Sequence, residues 1–321
     1  MKKILITGCA GYVGKILSQV FLKKNYLVFG IDNLSRSNSN DIKFLKQNKN
    51  FKFYKLDYSN IKLINIIKKN NICDIIHLAA YINVSESERL KKKYLNNNIE
   101  KLIIFFKNLK DIKLKNFIFA STCAILNSDQ SNFKPTSIYA LTKLIGENLI
   151  KFYSNKYNFN FCCLRYFNVV GADLENNLGK VSKSDHLFSN IINSIKKNKL
   201  IKIYGKNFKT KDGTCERDYI HVVDLSTFHL DVLNYMKKNK SSKLFINYGY
   251  NKKTSVLQVV KNFNKFLNKP LKYKFINKRL GDPESLYLKR KNKIISKIHK
   301  FKYNSLSLLI KSELKFNKLI K

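Results

Sequence analysis

The sequence has little of several residue types that usually shape a chain of 321 residues: it contains no tryptophan, three prolines and eleven glycines. Acidic residues are also scarce, since 21 Asp and Glu face 62 Lys and Arg and leave a formal net charge of +41. The lysines are spread over the whole length, whereas nucleic-acid binders concentrate them in a patch. We attribute this composition to coding bias, as in an A+T-rich genome, and expect no specific nucleic-acid partner. Weak attraction of polyanions at low salt stays open.

The six cysteines form neither a C-x-x-C pair nor the spacing of a zinc site or a disulfide framework. We therefore expect free thiols in a reducing compartment and no bound metal. No apolar run reaches the ~20 residues that a membrane-spanning helix needs, so no membrane partner is expected. Glycines interrupt the apolar stretch after Met1-Lys2-Lys3, which argues against a signal peptide. The expected location is the cytoplasm.

A short apolar run, Ile4–Thr7, ends in three glycines with the spacing G-x-x-G-x-x-G, namely Gly8, Gly11 and Gly14. A strand, a tight turn and a helix in this order open a dinucleotide-binding unit. In such a unit Gly8 would permit the turn, Gly11 would let the backbone approach a pyrophosphate, and Gly14 would let the helix pack on the strand. The helix N-terminus would offer N–H groups to the phosphates. A plain strand–turn–helix corner is the alternative, because the usual spacing is G-x-G-x-x-G.

Asp32 follows the second predicted strand, Leu27–Ile31, and lies 18 residues after Gly14. An acid near this place binds the adenosine ribose hydroxyls in dinucleotide-binding folds. A carboxylate suits NAD and repels the extra phosphate of NADP. Arg36 nearby weakens this preference, and a solvated Asp at a strand end is the alternative. Together with the glycines, Asp32 predicts NAD as the cofactor.

Strand-like segments alternate with helical patterns through the first half of the chain, which predicts a parallel sheet with helices on both faces. The predicted fold class is α/β: a doubly wound, Rossmann-like parallel sheet with a smaller α/β C-terminal substrate lobe. The later predicted strands are 51–56, 75–80, 116–120, 161–166 and 244–248, and the predicted helices are 61–69, 94–106, 139–153, 255–267 and 306–316.

Regularity fades after Gly171, so we predict two domains. Residues 1–171, with a returning segment near 219–250, would form the dinucleotide-binding domain. Residues 172–218 and 251–321 would form the smaller lobe. We expect the Lys-rich tail, 289–321, to be a solvated helical surface.

Tyr139 and Lys143 form Y-x-x-x-K at the start of a predicted helix, and their spacing places both side chains on one face. A phenol with a pKa of about 10 is a poor base at neutral pH. A neighbouring ammonium, the helix dipole and an oxidised nicotinamide would all favour the phenolate. Ser121-Thr122 follows the fifth predicted strand, at the edge where parallel sheets bind ligands, and Thr122 would hydrogen-bond the reacting oxygen and Tyr139. A chance match for the pair and a polar strand cap for Thr122 are the alternatives.

Together with Asp57 after the third strand, these residues resemble the extended short-chain dehydrogenase/reductase family. Three further stretches resemble its UDP-hexose 4-epimerases in particular. The matching motifs run from residue 4 to about 290, and R-Y-F-N and R-D-Y-I-H-V are the specific ones. The three stretches are Arg165–Ala172, Asp212–Val222 and Arg279–Pro283.

The resemblance implies an isomerase that interconverts UDP-glucose and UDP-galactose and keeps NAD bound. Hydride would leave carbon 4 of the hexose while Tyr139 removes the hydroxyl proton. The 4-keto sugar would then turn over and take hydride back on the opposite face, without net oxidation. The resemblance further implies a UDP-hexose substrate, a nucleotide-sugar-binding role for the smaller lobe, and a homodimer formed through two helices of the NAD-binding domain.

The resemblance also assigns residues to roles, with Tyr139, Lys143 and Thr122 as the catalytic residues. Both arginines of the substrate set would lie near the diphosphate or uridine, because a guanidinium fork matches phosphate oxygens. The residues implied to bind NAD are Gly8, Gly11, Tyr12, Val13, Gly14, Asp32, Asn33, Asp57, Tyr58, Ala79, Ala80, Asn98, Tyr139, Lys143 and Tyr166. The residues implied to bind the UDP-sugar are Thr122, Tyr139, Asn168, His186, Leu187, Tyr204, Arg217, Arg279 and Asp282.

The chain departs from the family pattern in three places. Leu126-Asn127 stands where the family usually has Tyr-Gly, which changes a loop bordering the sugar. Lys289 stands where an Asp is frequent. The usual C-terminal tryptophans are absent, so the last thirty or so residues carry little information about function.

Other functions stay open at this point. A nucleotide-sugar 4,6-dehydratase needs an acid pair beside the catalytic Thr, whereas this chain has Cys123-Ala124. A UDP-glucuronate decarboxylase has no support from residues 212–222. An epimerase for N-acetylated UDP-hexoses is a closer competitor, and the pocket wall near Leu286 would decide it. The alternative outside enzymes is an NAD-dependent binding or regulatory protein, which would not need Tyr139 or Lys143.

Overall fold

The structure is a computed structural model that describes residues 1–127, 129–180, 186–239, 241–279, 283–290 and 292–321. Its strands are β1 (Lys2–Thr7), β2 (Tyr26–Asp32), β3 (Phe51–Lys55), β4 (Asp74–His77), β5 (Asn116–Thr122), β6 (Asn160–Tyr166), β7 (Asn168–Val170), β8 (Ile201–Tyr204), β9 (Glu216–Arg217), β10 (Tyr219–His221), β11 (Lys243–Tyr248), β12 (Thr254–Ser255), β13 (Tyr273–Ile276) and β14 (Ser285–Leu286).

The helices include a 20-residue helix, α7, which carries the predicted catalytic pair. Among the helices that the structure describes, none is long and apolar enough to cross a membrane. The helices are α1 (Tyr12–Lys23), α2 (Lys43–Lys46), α3 (Lys62–Lys69), α4 (Val84–Arg89), α5 (Lys91–Leu95), α6 (Lys101–Asn108), α7 (Ile138–Tyr157), α8 (Leu187–Lys196), α9 (Val222–Lys238), α10 (Val256–Asn264), α11 (Lys293–Ile298) and α12 (Leu306–Phe316).

The chain divides into two compact units, which are described separately. Unit 1 comprises Met1–Ile125, Lys134–Arg165 and Ser226–Ile246, and unit 2 comprises Leu126–Phe133, Tyr166–Leu225 and Asn247–Lys321. The assignment of NAD to one predicted domain and of the nucleotide sugar to the other stays a prediction.

Unit 1 is built on a seven-stranded parallel sheet with the order β11-β6-β5-β4-β1-β2-β3. β1 pairs with β2 on one side, where Lys2 faces Tyr26, and with β4 on the other, where Leu5 faces Ile75. The strand order therefore reverses direction between β1 and β4, which is the switch point where open α/β sheets bind ligands. The predicted α/β fold with a Rossmann-like parallel sheet is confirmed.

The core of unit 1 contains an aromatic cluster around His77. The imidazole ring lies 6.0 Å, centroid to centroid, from each of Phe105, Phe117 and Phe119. Its Nδ1 atom is 2.8 Å from the Thr7 hydroxyl, and burial lowers the pKa of His77 to about 3. His77 is thus a neutral core residue, and each buried phenylalanine contributes roughly 1.5–3 kcal/mol through removal from water.

Helix α7 begins and ends at residues suited to those positions. Ser137 caps its N-terminus by accepting the Ala140 N–H at 3.1 Å, and Asn158 ends it in the left-handed conformation at φ 51°. Within the helix, Gly146 faces β5 so closely that a Cβ there would lie 2.8 Å from Cζ of Phe119. The absence of a side chain at Gly146 therefore sets the distance between α7 and β5.

The segment predicted as one helix over 94–106 is interrupted. α5 ends at Leu95, a π-helical turn spans Asn96–Glu100, and α6 follows. In that turn the Asn98 side chain bonds to the backbone of Tyr81 rather than facing solvent. Such turns are frequent at functional sites because they redirect a side chain.

Among its described residues, unit 2 contains three small sheets. β7 and β10 pair in parallel, with Asn168 opposite Tyr219. β9 lies between β12 and β14, and β13 pairs in parallel with β8. These strands bring the predicted substrate residues Asn168, Arg217 and Tyr204 onto sheet positions of one unit.

The C-terminal tail is not the solvated surface that we expected. In α12, Leu309, Ile310 and Leu314 are buried. Glu313 accepts the backbone N–H of Gly171 at 2.9 Å, so the helix is fixed to the segment after β7. This buried face was not apparent from the sequence, because lysines are interspersed with the apolar residues of the tail.

We expect Leu314→Ala to lower the free energy of unfolding by about 2–5 kcal/mol, because it leaves a cavity beneath α12. Leu308→Ala on the same helix is the matched control, since Leu308 is 40% exposed and its truncation should change stability by about 0.5 kcal/mol or less. Urea denaturation of both variants measures this. Equal effects would mean that α12 is not docked.

Candidate active site

The glycine-rich turn after β1 has the geometry that the sequence predicted. Gly8 has φ 72°, and its N–H donates to the Ile31 carbonyl at 2.8 Å. A Cβ at Gly8 would lie 2.8 Å from the backbone nitrogen of Ala79, and a Cβ at Gly14 would lie 2.0 Å from the Gly8 carbonyl oxygen. Both glycines are therefore required for backbone segments to pass each other.

The N-terminus of α1 is suited to an anion. Gly11 is the N-cap and supplies no side-chain cap, Tyr12 and Val13 begin the helix, and its first turn carries no acidic residue. The positive end of the helix dipole is therefore not offset by a carboxylate of its own first turn. This arrangement fits a dinucleotide pyrophosphate.

Asp32 lies at the end of β2, beside the glycine turn. Its Oδ2 accepts the Ala10 N–H at 3.1 Å and its Oδ1 accepts the Leu34 N–H at 2.8 Å. Burial raises the pKa of Asp32 above its ordinary value. Arg36 does not pair with this acid: its guanidinium forms an ion pair with Glu86 and lies 4.8 Å over the Tyr81 ring. An arginine held in this way fits NAD better than NADP.

Asp57 and Tyr58, predicted to contact the cofactor, are each held by hydrogen bonds, Asp57 to side chains and Tyr58 to the backbone of Asn97. Asp57 Oδ2 accepts hydrogen bonds from Asn33 at 3.0 Å and from Lys101 at 2.6 Å. Burial raises the pKa of Asp57, but the bonds from Lys101 and Ser59 outweigh it and lower the pKa overall. The buried Tyr58 hydroxyl donates to a backbone carbonyl, which fixes the third strand end against the π-helical turn.

The segment after β4 contains Ala79 and Ala80, both half-buried. The Ala79 N–H donates to the Thr7 hydroxyl at 3.3 Å. Asn98 holds the same segment by bonding both backbone groups of Tyr81 at 3.0 Å, and it reaches Thr142 of α7 at 3.1 Å. Asn98 therefore links the predicted cofactor segment to the helix that carries Tyr139.

Two residues that sequence reasoning missed hold the start of α7. The Ser87 hydroxyl accepts the Tyr139 N–H at 3.1 Å, and Glu88 Oε1 accepts the Ile138 N–H at 2.7 Å. A carboxylate at this position complements the helix dipole. Nothing in the spacing of α4 relative to Tyr139 signals this contact in advance.

The Tyr139 side chain forms a hydrogen bond with the Thr122 side chain, as the sequence predicted. Burial raises the pKa of Tyr139 to about 12, and the hydrogen bond with Thr122 opposes that rise. The described residues therefore do not themselves make the phenol acidic. A phenolate at neutral pH would depend on positive charge brought in with the bound cofactor.

Lys143 lies one turn further along α7. Its ammonium donates to the Ala120 carbonyl of β5 at 2.7 Å and lies 4.7 Å from the centroid of the Phe119 ring. Burial lowers the pKa of Lys143 to about 7, although Glu147 counteracts this. Unit 1 thus gathers Thr122, Tyr139 and Lys143 along the contact between α7 and β5.

Of the predicted substrate residues that the structure describes, all except Thr122 and Tyr139 lie in unit 2. The Arg217 guanidinium donates from Nη1 to the carbonyls of Glu216 and Pro283, each at 2.8 Å. The Arg279 guanidinium lies 3.8 Å over the Tyr204 ring, so these two predicted residues are adjacent. Asn168 begins β7, half-buried, and Tyr166 is the half-buried last residue of β6.

His186 is the exposed N-cap residue of α8, and Leu187 is its first residue. Asp282 lies outside the described residues. Buried Asp218, which the R-D-Y-I-H-V motif contains, accepts backbone N–H groups of Tyr250, Asn251 and Leu288. Burial raises the pKa of Asp218 to about 6. Its role is to hold three segments of unit 2 together.

Within the described ranges, no group of three or more His, Cys, Asp or Glu residues is arranged to hold a metal ion. All six cysteines are free.

Comparison with known proteins gives a consistent result. Residues 4–248 match the profile of the NAD dependent epimerase/dehydratase family. The UDP-glucose 4-epimerase of Halalkalibacterium halodurans is 30% identical over 295 residues, covering 88% of this chain and 86% of that protein. UDP-arabinose 4-epimerase 1 of Arabidopsis thaliana is 30% identical over 302 residues, covering 88% of this chain and 72% of the relative.

Solved structures are similar over nearly the whole chain. The UDP-Glc/GlcNAc 4-epimerase from the human pathogen Campylobacter jejuni superimposes with a TM-score of 0.82 at 32% identity. The match covers 99% of this chain and 100% of that one.

Two glycine variants separate folding from cofactor binding. Gly14→Ala should lower the free energy of unfolding by about 3 kcal/mol or more, because its Cβ would overlap a backbone oxygen. Gly11→Ala meets the Gly8 oxygen only at 3.2 Å and should cost about 1 kcal/mol or less without NAD. Since it fills the approach to the pyrophosphate, it should weaken NAD binding at least tenfold in a calorimetric titration. Unchanged affinity would remove Gly11 from the cofactor site.

Proposed function

Because the chain belongs to the NAD dependent epimerase/dehydratase family, we propose that it is a 4-epimerase interconverting UDP-glucose and UDP-galactose. The observation that carries this proposal is the spatial arrangement of Thr122, Tyr139 and Lys143 along the contact between β5 and α7. The same unit also contains the glycine turn and Asp32. These residues pair a proton-transfer group with a nucleotide-binding turn, which is what oxidation of a carbinol requires.

In this proposal the protein's side chains handle the proton and the orientation. Tyr139 takes the proton from the 4-hydroxyl of the hexose and returns it after the 4-keto sugar has turned over. Thr122 holds the same oxygen through its hydroxyl, and Lys143 supplies positive charge beside the phenol when it is protonated. Bound NAD supplies the hydride acceptor and donor. Asp32 orients the adenosine ribose, and the N-terminus of α1 holds the pyrophosphate.

The substrate side of the proposal rests on unit 2. Arg217, Arg279 and Tyr204 would bind the UDP moiety, with Asn168 and His186–Leu187 as further contacts. Leu286 of β14 lies opposite Arg217 in the parallel register. A residue in this position would border the sugar beyond the diphosphate, so its size bears on whether an N-acetyl group fits.

The competing reactions on this scaffold have weaker support. A dehydratase needs an acid directly after the catalytic Thr, but Cys123 there has a thiol that donates to the Arg165 carbonyl at 3.1 Å. The similarity to an epimerase acting on UDP-Glc and UDP-GlcNAc keeps N-acetylated sugars as the second candidate substrates.

The test is incubation with UDP-galactose and UDP-N-acetylgalactosamine in parallel, without added NAD. We expect UDP-glucose to form from the first substrate, because NAD is carried through purification. Product from the second would extend the substrate class. Product from neither, even with NAD added, would contradict the proposal.

Tyr139→Phe is the matched control in that assay, since it deletes one oxygen and retains the ring. Turnover should fall at least a thousandfold, because the proton-transfer group is lost. Binding of NAD and UDP should stay within about threefold, since the phenol hydroxyl is not their main contact. Unchanged turnover would remove Tyr139 from the mechanism.

We further propose a homodimer formed through α6 and α7. Both helices expose large apolar side chains of unit 1, including Ile104 at 45% and Phe152 at 59%. Phe152→Glu should give a monomer in light scattering, because a carboxylate would be buried without a partner. Phe44→Glu on α2, with 44% exposure, is the control and should leave the dimer intact. A monomeric parent protein would contradict this proposal.

A cytoplasmic location is the last part of the proposal. It rests on the six free cysteines, five of them buried, which suit a reducing compartment.

A further inference from the structure

A buried ion pair joins α7, which carries Tyr139 and Lys143, to the neighbouring strand β6. Glu147 Oε2 and Oε1 accept hydrogen bonds from Arg165 Nη2 at 2.7 Å and Nε at 2.9 Å. Glu147 Oε1 also accepts the hydroxyl of Ser121, the neighbour of Thr122, at 2.5 Å. Three elements, α7, β6 and β5, thus hold one carboxylate in a fixed position.

Such a pair needs an explanation beyond stability. Desolvation of two buried charges costs about as much as their attraction returns, and apolar replacements are frequently neutral or stabilising. Glu147 is 2% exposed and Arg165 is 8% exposed. A role for the charge itself is therefore the stronger interpretation.

The neighbour that this charge acts on is Lys143. It precedes Glu147 by four residues, so both side chains lie on the same face of α7. Burial lowers the pKa of Lys143 to about 7, and the negative charge of Glu147 is the first influence that opposes it. Without that charge, the amine would lose its proton below neutral pH.

The other titratable groups around Lys143 cannot replace Glu147. Burial lowers the pKa of His77 on β4 to about 3, and burial raises the pKa of the Cys163 thiol on β6. Tyr139, on the same helix, has a pKa of about 12 because it is buried. All three are neutral at pH 7, so among these neighbours only the Glu147 carboxylate can oppose the desolvation of Lys143 with a negative charge.

We infer that Glu147 is a positioning residue that keeps Lys143 protonated beside Tyr139, while Arg165 and Ser121 hold its carboxylate in place. This inference rests on the proposed function, because it assigns Lys143 a charged role in that reaction. Loss of the Lys143 proton would remove positive charge next to the phenol. Epimerisation should then decline on the alkaline side of its pH profile.

Glu147→Gln tests the charge while it preserves the shape. The amide oxygen can still accept from Arg165 Nε and Ser121, as Oε1 of Glu147 does, although the Arg165 cation loses its counter-charge. We expect the alkaline limb of kcat to move to lower pH by roughly one to three units, the usual effect of one nearby opposite charge. Ser121→Ala is the matched control: it deletes a bond to the same carboxylate but keeps the charge, so the limb should stay in place.

A second measurement needs no turnover. The slope of unfolding free energy against pH gives the protons taken up on unfolding. Between about pH 5 and 7, unfolding of the Glu147→Gln variant should take up as much as one proton more than unfolding of the parent. The reason is that the folded variant has already lost the Lys143 proton, which the unfolded chain binds again. The same difference in proton uptake is then measured between Lys143→Met and the double variant Lys143→Met with Glu147→Gln. Subtracting this second difference from the first assigns the proton to Lys143.

The outcomes separate the two proposals. If the parent does not epimerise, the proposed function fails, and proton uptake still decides the role of Glu147. An unmoved alkaline limb together with unchanged proton uptake would overturn the inference and leave Glu147 with a structural role. Should Glu147→Gln not fold, Glu147→Gln combined with Arg165→Gln leaves no unpaired buried charge. The alkaline limb and the proton uptake should then shift in the same directions but by less, because the opposing charge of Arg165 is removed as well.

Discussion

The close contact between α7 and β5 is the constraint on which the site depends. Gly146 permits the approach, because any Cβ there would meet the Phe119 ring. At that distance each functional residue of the helix reaches the strand: Tyr139 bonds to Thr122, and Lys143 bonds to the Ala120 carbonyl. A wider spacing would break both contacts together, so the position of the proton-transfer group is set by packing and not by the loops alone.

Residues whose position follows from local geometry were predictable from the sequence. The Gly8 turn, the Asp32 strand end and the Tyr139–Lys143 spacing each depend on neighbours within a few residues or on one strand pairing. Glu147 lies at the same helical spacing, but the sequence does not single it out, because its importance depends on Arg165, which only the sheet brings near. Ser87 and Glu88 were missed for the same reason, since α4 meets α7 through tertiary packing.

The unusual composition also has a structural counterpart. Acidic residues are scarce, yet several buried ones bind specific backbone or side-chain groups. Asp218 holds three backbone N–H groups in unit 2, Glu313 holds Gly171, and Glu147 holds Arg165. Excess lysine on the surface is compatible with these contacts because exposed charges interact weakly. This distribution fits a coding bias towards lysine that affects exposed positions and leaves the buried acidic residues in place. It also explains why the lysine-rich tail concealed the buried face of α12.

The pKa values of the two predicted catalytic groups are shifted in opposite directions by the same cause. Burial raises the pKa of Tyr139 and lowers that of Lys143, so each group is driven towards its neutral form. A neutral phenol is a poor base, and a neutral amine supplies no positive charge that would favour the phenolate. If Lys143 is to carry positive charge beside the phenol, as proposed, the carboxylate of Glu147 must offset its desolvation. The burial that shifts both pKa values is thus the reason why a buried counter-charge matters for the proposed reaction.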